Sequence, residues 1–376
     1  MSVEHLGGNK YKVYVEMGYD EYGERRRRTK TITVTSDRDL RRQELEFELL
    51  CMKEAEENEV DLDNITFNNF LDRWWTNHVV ENLSRATGNS YYYFIPMVKA
   101  HFKKTKLRNV RRLHIDEFFI NERKLGRKSL QTKLIMLKSI FGKAIEWEVV
   151  QYSPLNRYYL LGEEEPEERE VYDSSELTLL FNLVDTLKER DRLMILAAAL
   201  GALRRGEVLG IGIDSPNYNE NYILVERSLN YDREKKEKYL GPTKGRKSRK
   251  VYYPEEFMRG LQKYEFKLNE LKNHYGNRWE LLDDTDLIFR TSTGTIMHPQ
   301  SFTNLWRTIR KKLNLKDIDL HDLRHSAATY LINEGENMKD VQVMLGHKKL
   351  TTTLNTYTHA VKGDEDALAK KFEKLL

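Results

Sequence analysis

The run Glu163-Glu164-Glu165-Pro166-Glu167-Glu168 is the feature that most constrains how this chain folds. Adjacent carboxylates repel one another and resist burial, and a proline denies helix or sheet a backbone donor, so the run reads as a linker over residues 161–172. The chain's 376 residues also exceed the size at which one hydrophobic core keeps growing, which again points to several domains. Cys51 is the sole cysteine and excludes an internal disulfide framework. No apolar run approaches the ~18 residues of a membrane helix; the longest, Leu193 to Leu203, has the length of a buried helix. With the polar start Met1-Ser2-Val3-Glu4 and no secretory signal, the expectation is a cytoplasmic protein with no membrane partner.

Periodicity assigns a structure to each part. Residues 1 to about 34 alternate as strands do, with Tyr11, Val13 and Val15 on one face and Arg25-Arg26-Arg27-Arg28 running into Thr29, Thr31 and Thr33 after a turn at Gly23. Ser36 caps a helix from about Asp37 to Glu57, with Asp39 placed to return the capping bond. Residues 1–60 are therefore a small sheet plus one helix. From Thr66, the residues Phe67, Phe70, Leu71 and Trp74 fall at i, i+3, i+4 and i+7, and Leu130, Leu134, Leu137, Phe141 and Ala144 repeat that stripe. They predict a helical domain over 64–160.

The last domain, 173–376, mixes helix with short strands. Ser174 caps a helix carrying Leu177, Leu180, Phe181, Val184 and Leu187, and the apolar run ending at Leu203 delivers Arg204. Strand-like residues Tyr222 to Val225 and Lys250 to Tyr253 flank a basic segment, as the arms of a hairpin would. Gly346 should end a short helix packed by Val341, Met344 and Leu345. That sets His347 at a helix carboxy terminus, where the dipole favours a protonated imidazole. Leu368, Phe372 and Leu375 mark a final helix too short to stand alone. The fold class expected is mainly α with small β elements, the last domain being α+β.

A net charge of +4 is modest, so its distribution matters more than its size. Between Lys99 and Lys143 there are fourteen Lys or Arg against three acids, with apolar residues between them at helical spacing. Such a stretch attracts phosphates without reading bases, and its affinity falls as salt rises; the bland alternative is a solvated lysine-rich face. Lys103, Lys104, Arg111, Arg112, Lys133 and Lys138 are the candidate phosphate contacts here. Arg25, Arg26, Arg27 and Arg28 on the first sheet, and Arg246 and Lys247 in the basic hairpin, extend the set.

The carboxy-terminal third carries chemistry. His321-Asp322-Leu323-Arg324-His325 precedes Leu345-Gly346-His347 and Thr356-Tyr357-Thr358-His359, and Arg204 stands upstream in Leu203-Arg204-Arg205-Gly206-Glu207. These side-chain types suit phosphodiester cleavage. Attack on a phosphodiester builds negative charge on the non-bridging oxygens, and a planar guanidinium grips two of them at once; Arg204 and Arg324 are candidates for that clamp. A tyrosine hydroxyl with a pKa near ~10 must lose its proton during attack, so Tyr357 needs a base, for which His321 is available. The leaving oxygen needs a proton in turn. Lys244, in Pro242-Thr243-Lys244-Gly245-Arg246, is the first choice, with Lys247 and Lys250 as neighbours in the same segment.

In that order these residues resemble the tyrosine recombinases, or phage integrases, which break and rejoin DNA through a 3′-phosphotyrosyl intermediate. Arg204 matches the family's first arginine, followed three residues later by an acid, here Glu207, which on a bland reading is a surface pair. His321 and Arg324 match its histidine-x-x-arginine box, and His347 its next histidine. Tyr357 falls 33 positions after Arg324 and ten after His347, spacings similar to the family's. The specific motifs span about 170 to 360. The family often has Thr-Gly where this chain reads Gly201-Ala202, a departure that touches packing more than chemistry.

The resemblance implies an integrase of a phage or mobile element, with an amino-terminal arm-binding domain, a core-DNA-binding domain and a catalytic domain. It implies double-stranded DNA as partner, a homotetramer on DNA, a Holliday junction, and no metal or nucleotide cofactor. Accessory DNA-bending or directionality proteins are further partners it allows. The tail helix would dock on a neighbouring protomer, or on its own chain. A small sheet and helix that merely pack or bind a partner is the other reading of residues 1–60. The rival functions are a type IB topoisomerase-like enzyme and a non-cleaving DNA-binding protein. A metal-dependent nuclease would use His321, His325 and His347 differently, yet no carboxylate or thiolate pattern completes a ligand set. His325 and His359 read as structural residues or as neighbours that support the catalytic groups, rather than as catalysts.

Overall fold

The computed structural model describes residues 2–19, 25–58, 62, 64–122, 127–160, 170–245 and 247–357. The acidic run, Arg246, His359 and the tail segment lie outside the described residues. The chain divides into two compact units, 1–161 and 162–376.

The first unit opens with strands β1 (Ser2–Gly7), β2 (Lys10–Tyr19) and β3 (Arg25–Thr33), antiparallel in the order β1-β2-β3. Alternation along β2 turns Val13 and Val15 inward, where they meet Ile32 and Val34 and, from helix α1 (Asp37–Asn58), Phe47 and Cys51. Ser36 accepts the Asp39 N–H at 3.2 Å as expected, but the Asp39 carboxylate accepts from the Thr35 N–H, at 3.1 Å.

A second apolar cluster of the same unit is helical. Its elements are α2 (Phe67–Trp74), a π-helical turn Trp75–Val80, α3 (Arg85–Tyr92), α4 (Ile95–Phe102), α5 (Arg112–Asn121) and α6 (Arg127–Glu146). The predicted stripe Phe67, Phe70, Leu71 and Trp74 is fully buried and faces Leu137, Ile140, Phe141 and Ala144 of α6, with Phe67 stacked on Phe102 at 4.2 Å. Each such side chain contributes about 1.5–3 kcal/mol through burial.

The second unit contains α7 (Ser174–Val184), α8 (Glu189–Leu200), α9 (Arg205–Leu209), β4 (Pro216–Asn217), β5 (Tyr222–Val225), β6 (Arg227–Asp232), β7 (Glu237–Pro242) and β8 (Arg249–Tyr252). Helices α10 (Glu255–Tyr275), α11 (Pro299–Lys312), α12 (Asp322–Asn333), α13 (Met338–Leu345) and α14 (Leu350–Tyr357) follow. The cap of α7 is Asp173, one residue before the expected Ser174, because its carboxylate and Glu176 bond reciprocally to each other's backbone N–H. Strands β5 and β8 pair, with Tyr222 opposite Tyr252 and Val225 opposite Arg249. Between them in sequence β6 and β7 form a separate hairpin, so the expected single hairpin is two ladders. The buried run Leu193–Ala198 of α8 packs with α10, α11 and the first turn of α12. A smaller cluster, Ala202, Ala327, Ala328, Ile332, Val341, Leu345 and Tyr357, closes the other end of α12 and carries the candidate site.

Candidate active site

The site begins where α8 stops. A Cβ at Gly201 would stand 1.9 Å from the hydroxyl of the buried Tyr253, so any other residue would have to displace that ring. Ala202 then takes a left-handed turn at φ 47°, a conformation costing a non-glycine residue about 1–2 kcal/mol. This turn makes Arg204 the amino cap of α9 rather than the end of the apolar helix. Its N–H donates to Glu207 Oε2 at 3.0 Å and its Nη1 to Oε1 at 2.7 Å.

Glu207 is no surface pair: it is 1% exposed and holds a second arginine, Arg249 of β8, whose Nη2 donates to Oε2 at 2.8 Å. Burial pushes the carboxyl up, but the hydrogen bond and charge of Arg249, then Arg204, outweigh it and hold Glu207 at about 2. Sequence reasoning missed Arg249. The signal available was strand alternation, which puts Arg249 on the inward face with Val251.

Arg324 lies in the buried first half of α12, 1% exposed, and His321 caps that helix from solvent. The Arg324 guanidinium donates to the carbonyls of Ala202, at 2.6 Å, and Leu345. Its Nη2 also meets His347 Nε2 at 3.3 Å. A guanidinium can only donate, so Nε2 accepts and the imidazole N–H sits on Nδ1, directed to Thr353 Oγ1 at 2.9 Å. Burial and the charge of Arg204 lower the Arg324 pKa to about 9, which leaves it protonated at neutral pH.

Gly346 ends α13 in the left-handed conformation, φ 65°, and so places His347 as expected. The expected protonation is corrected. Burial, then Arg324, Arg204, Lys244 and Arg249, push His347 down to about 4, and together they outweigh the helix dipole.

Tyr357 ends α14, 1% exposed, with its ring in the small cluster around Ala327 and Leu345. Its hydroxyl lies 2.8 Å from His325 Nδ1. His325, expected to be structural or a neighbour of the catalytic groups, thus touches the expected nucleophile, and His321 stands edge-on to its ring at 5.0 Å. The contact follows from α12: one residue after Arg324, the 7% exposed His325 turns towards the cluster that receives Tyr357.

Lys244 projects from the loop joining β7 to β8, which the Thr243 hydroxyl closes by donating to the Lys247 carbonyl at 2.8 Å. Lys244 is exposed, yet its charge is among those that lower His347. Lys250 turns instead to Tyr222, 4.2 Å from the ring centroid, and to Glu220 at 3.6 Å. Lys247 is exposed.

Most other predicted phosphate contacts are on the surface. Arg28, Lys103, Lys104, Arg111, Arg112 and Lys138 are exposed, while Arg25 and Arg26 lie on β3 with side chains outside the described residues. Arg27 sits over the Tyr14 ring at 3.9 Å and pairs with Glu16. Lys133 is a correction: it is fully buried, pairs with Glu122 and lies over the rings of Phe94 and Phe118. It stands three residues after Leu130 and four before Leu137, on the inward stripe itself. Among the described residues no group of three His, Cys, Asp or Glu side chains is placed to hold a metal, and no helix is long and apolar enough to cross a membrane.

The arrangement joins two guanidinium groups, a neutral imidazole and a tyrosine hydroxyl hydrogen-bonded to a second imidazole, with a lysine at the rim. Such a set can bind a phosphodiester, stabilise charge on its oxygens and move protons at both ends of the displaced bond. A family model described as the phage integrase family matches residues 170–363. The ICEBs1 integrase of Bacillus subtilis (strain 168) is 23% identical and covers 100% of both chains. The tyrosine recombinase XerD of Pseudomonas putida is 29% identical over 54% of this chain and 60% of its own length. Among solved structures, the Tn1549 transposon integrase in complex with a circular intermediate DNA superposes with a TM-score of 0.67 at 19% identity, over 83% of this chain and 100% of that one.

Proposed function

Because the chain belongs to the phage integrase family, we propose that it is a site-specific recombinase of a phage or other mobile element, which cleaves and rejoins double-stranded DNA through Tyr357. The observation that carries this reading is that Arg324 bonds both the Ala202 turn that leads into Arg204 and His347, beside the cluster that holds Tyr357. The names of the relatives, an integrase of a mobile element and a tyrosine recombinase, support it. So does the DNA bound in the structure of the Tn1549 integrase.

In the proposed reaction the scissile phosphate sits between Arg204 and Arg324. The Tyr357 oxygen attacks phosphorus and passes its proton to His325 Nδ1, 2.8 Å away, beside the solvent-exposed His321. The bond to the 5′-oxygen breaks, and Lys244 gives that oxygen its proton. A 3′-phosphotyrosyl bond keeps the energy of the phosphodiester, so a 5′-hydroxyl from a partner duplex reverses the step without nucleotide or metal. Exchange of one strand pair gives a Holliday junction, resolved by a second exchange within a homotetramer on DNA. The small sheet with Arg27 and Arg28 and the exposed basic residues of the helical domain bind flanking DNA. Accessory DNA-bending or directionality proteins complete the assembly.

The test is strand exchange between two labelled duplexes carrying the end sequences of the gene's own element, in EDTA. Recombinant joints in EDTA support the reading. Relaxation of a supercoiled plasmid without joints would favour a topoisomerase, and tight binding without covalent product a non-cleaving binder.

A further inference from the structure

Two consecutive carbonyls at the carboxy end of α13 are each taken by an arginine. Leu345 O accepts from Arg324, and Met344 O accepts from Arg249 Nε at 2.8 Å. The other nitrogens of Arg249 grip Glu207, Nη2 at 2.8 Å to Oε2 and Nη1 at 3.3 Å to Oε1. Its guanidinium also lies against Gly346, with Nη1, Cδ and Cζ all 3.2–3.3 Å from where a Cβ at that glycine would stand. The side chain is 8% exposed, and all three of its nitrogens are engaged by Glu207 and the Met344 carbonyl. It belongs to β8, five residues beyond Lys244, on the strand that leaves the Lys244 loop.

We propose that Arg249 is a positioning residue for DNA cleavage, which locks the His347 turn and the Lys244 loop to the Arg204–Glu207 pair as one rigid frame. The proposal rests on the reading of this site as the cleavage site. The three elements it joins are distant in sequence, Glu207 by 42 residues and Met344 by 95, and one planar fork spans them. A lysine has a single nitrogen and cannot reproduce the planar fork whose separate nitrogens hold Glu207 and the Met344 carbonyl. Displacement of a catalytic group by about 1 Å can cost roughly 100-fold in rate, so loss of this fork should appear in the chemical step.

The test compares wild type with Arg249→Ala and Arg249→Lys by three readouts. These are DNA affinity, the single-turnover rate of covalent adduct formation on a nicked suicide duplex across pH, and amide hydrogen exchange in the free protein. Both variants should bind DNA as wild type does and form adduct about 10- to 100-fold more slowly. Arg249→Ala should also lose rate towards acid pH, because Glu207 has lost its strongest partner, whereas Arg249→Lys keeps a cation beside Glu207 and the wild-type pH profile. Exchange at the amides of Gly346 and His347 should quicken in both. A wild-type adduct rate in Arg249→Ala, or a slower rate with an unchanged pH profile and unchanged exchange at Gly346 and His347, overturns the proposal. If wild type itself forms no adduct, the cleavage reading has failed, and unchanged exchange at these two amides in the variants then overturns the positioning role as well.

Discussion

Replacing Glu207 with glutamine isolates the electrostatic keystone of the site. The carboxylate is 1% exposed, bonded to Arg204 and Arg249, and held at about 2 against an ordinary 4.5. That difference corresponds to roughly 3 kcal/mol in favour of the ionised form on folding. Glutamine keeps the shape and removes the charge, leaving two arginines beside a neutral amide and Arg324 nearby. At neutral pH Glu207→Gln should therefore lose about 3 kcal/mol, a fall in melting temperature of roughly 6–12 °C for a unit of this size. The sign is fixed by the direction of the shift. A depressed carboxyl stabilises fully above its unfolded value and loses that contribution as pH falls through its folded value, so the gap to wild type stays constant above about pH 5 and closes between about 4.5 and 2. Urea unfolding followed by the fluorescence of Trp279 and Trp306, repeated across pH, measures it. A gap under about 0.5 kcal/mol at neutral pH, or one that widens on acidification, would refute the reasoning.

Other outcomes follow from the same geometry. The imidazole of His347 should titrate near 4 in free protein by NMR and move up when a DNA phosphate joins the site; titration near the ordinary 6.5 without DNA would contradict the burial and cation argument. His325→Ala should slow adduct formation by about 10- to 100-fold while DNA affinity stays constant, and an unaffected rate would return the tyrosine's proton to His321 alone. Lys133→Ala should cost about 3 kcal/mol of stability by leaving Glu122 unpaired, yet leave the salt dependence of DNA binding unchanged. Lys103→Ala with Lys104→Ala should instead lower the slope of log affinity against log salt by about 0.9 each at no such cost, and the opposite pattern would sink the burial assignment.

Fold class and motif order were legible because they rest on local rules. The stripe Phe67, Phe70, Leu71, Trp74 specifies a one-sided helix whatever covers it, and Gly346 stops α13 for reasons internal to its own backbone. What escaped was decided by residues far apart in sequence. Arg249 meets Glu207 and Met344 only once β8 is laid beside α9 and α13, and His325 acquires meaning only when α14 brings Tyr357 against it. The helix dipole at His347 is visible in the sequence, whereas the burial that does most to lower its pKa and the four cations that add to it come from other elements. The burial of Lys133 is legible in its spacing to Leu130 and Leu137, which lies on the apolar stripe, although its charge alone suggests an outward position. Ala202 shows the reverse case, where the departure from Thr-Gly becomes a left-handed alanine whose carbonyl receives Arg324.

The central claim is that Tyr357 is the nucleophile. Wild type and Tyr357→Phe, incubated with nicked suicide duplexes from the element's ends in EDTA and run on denaturing gels, test it most directly. An adduct in wild type alone, removed by protease and mapped by mass spectrometry to Tyr357, is the predicted result; covalent product from Tyr357→Phe would contradict it.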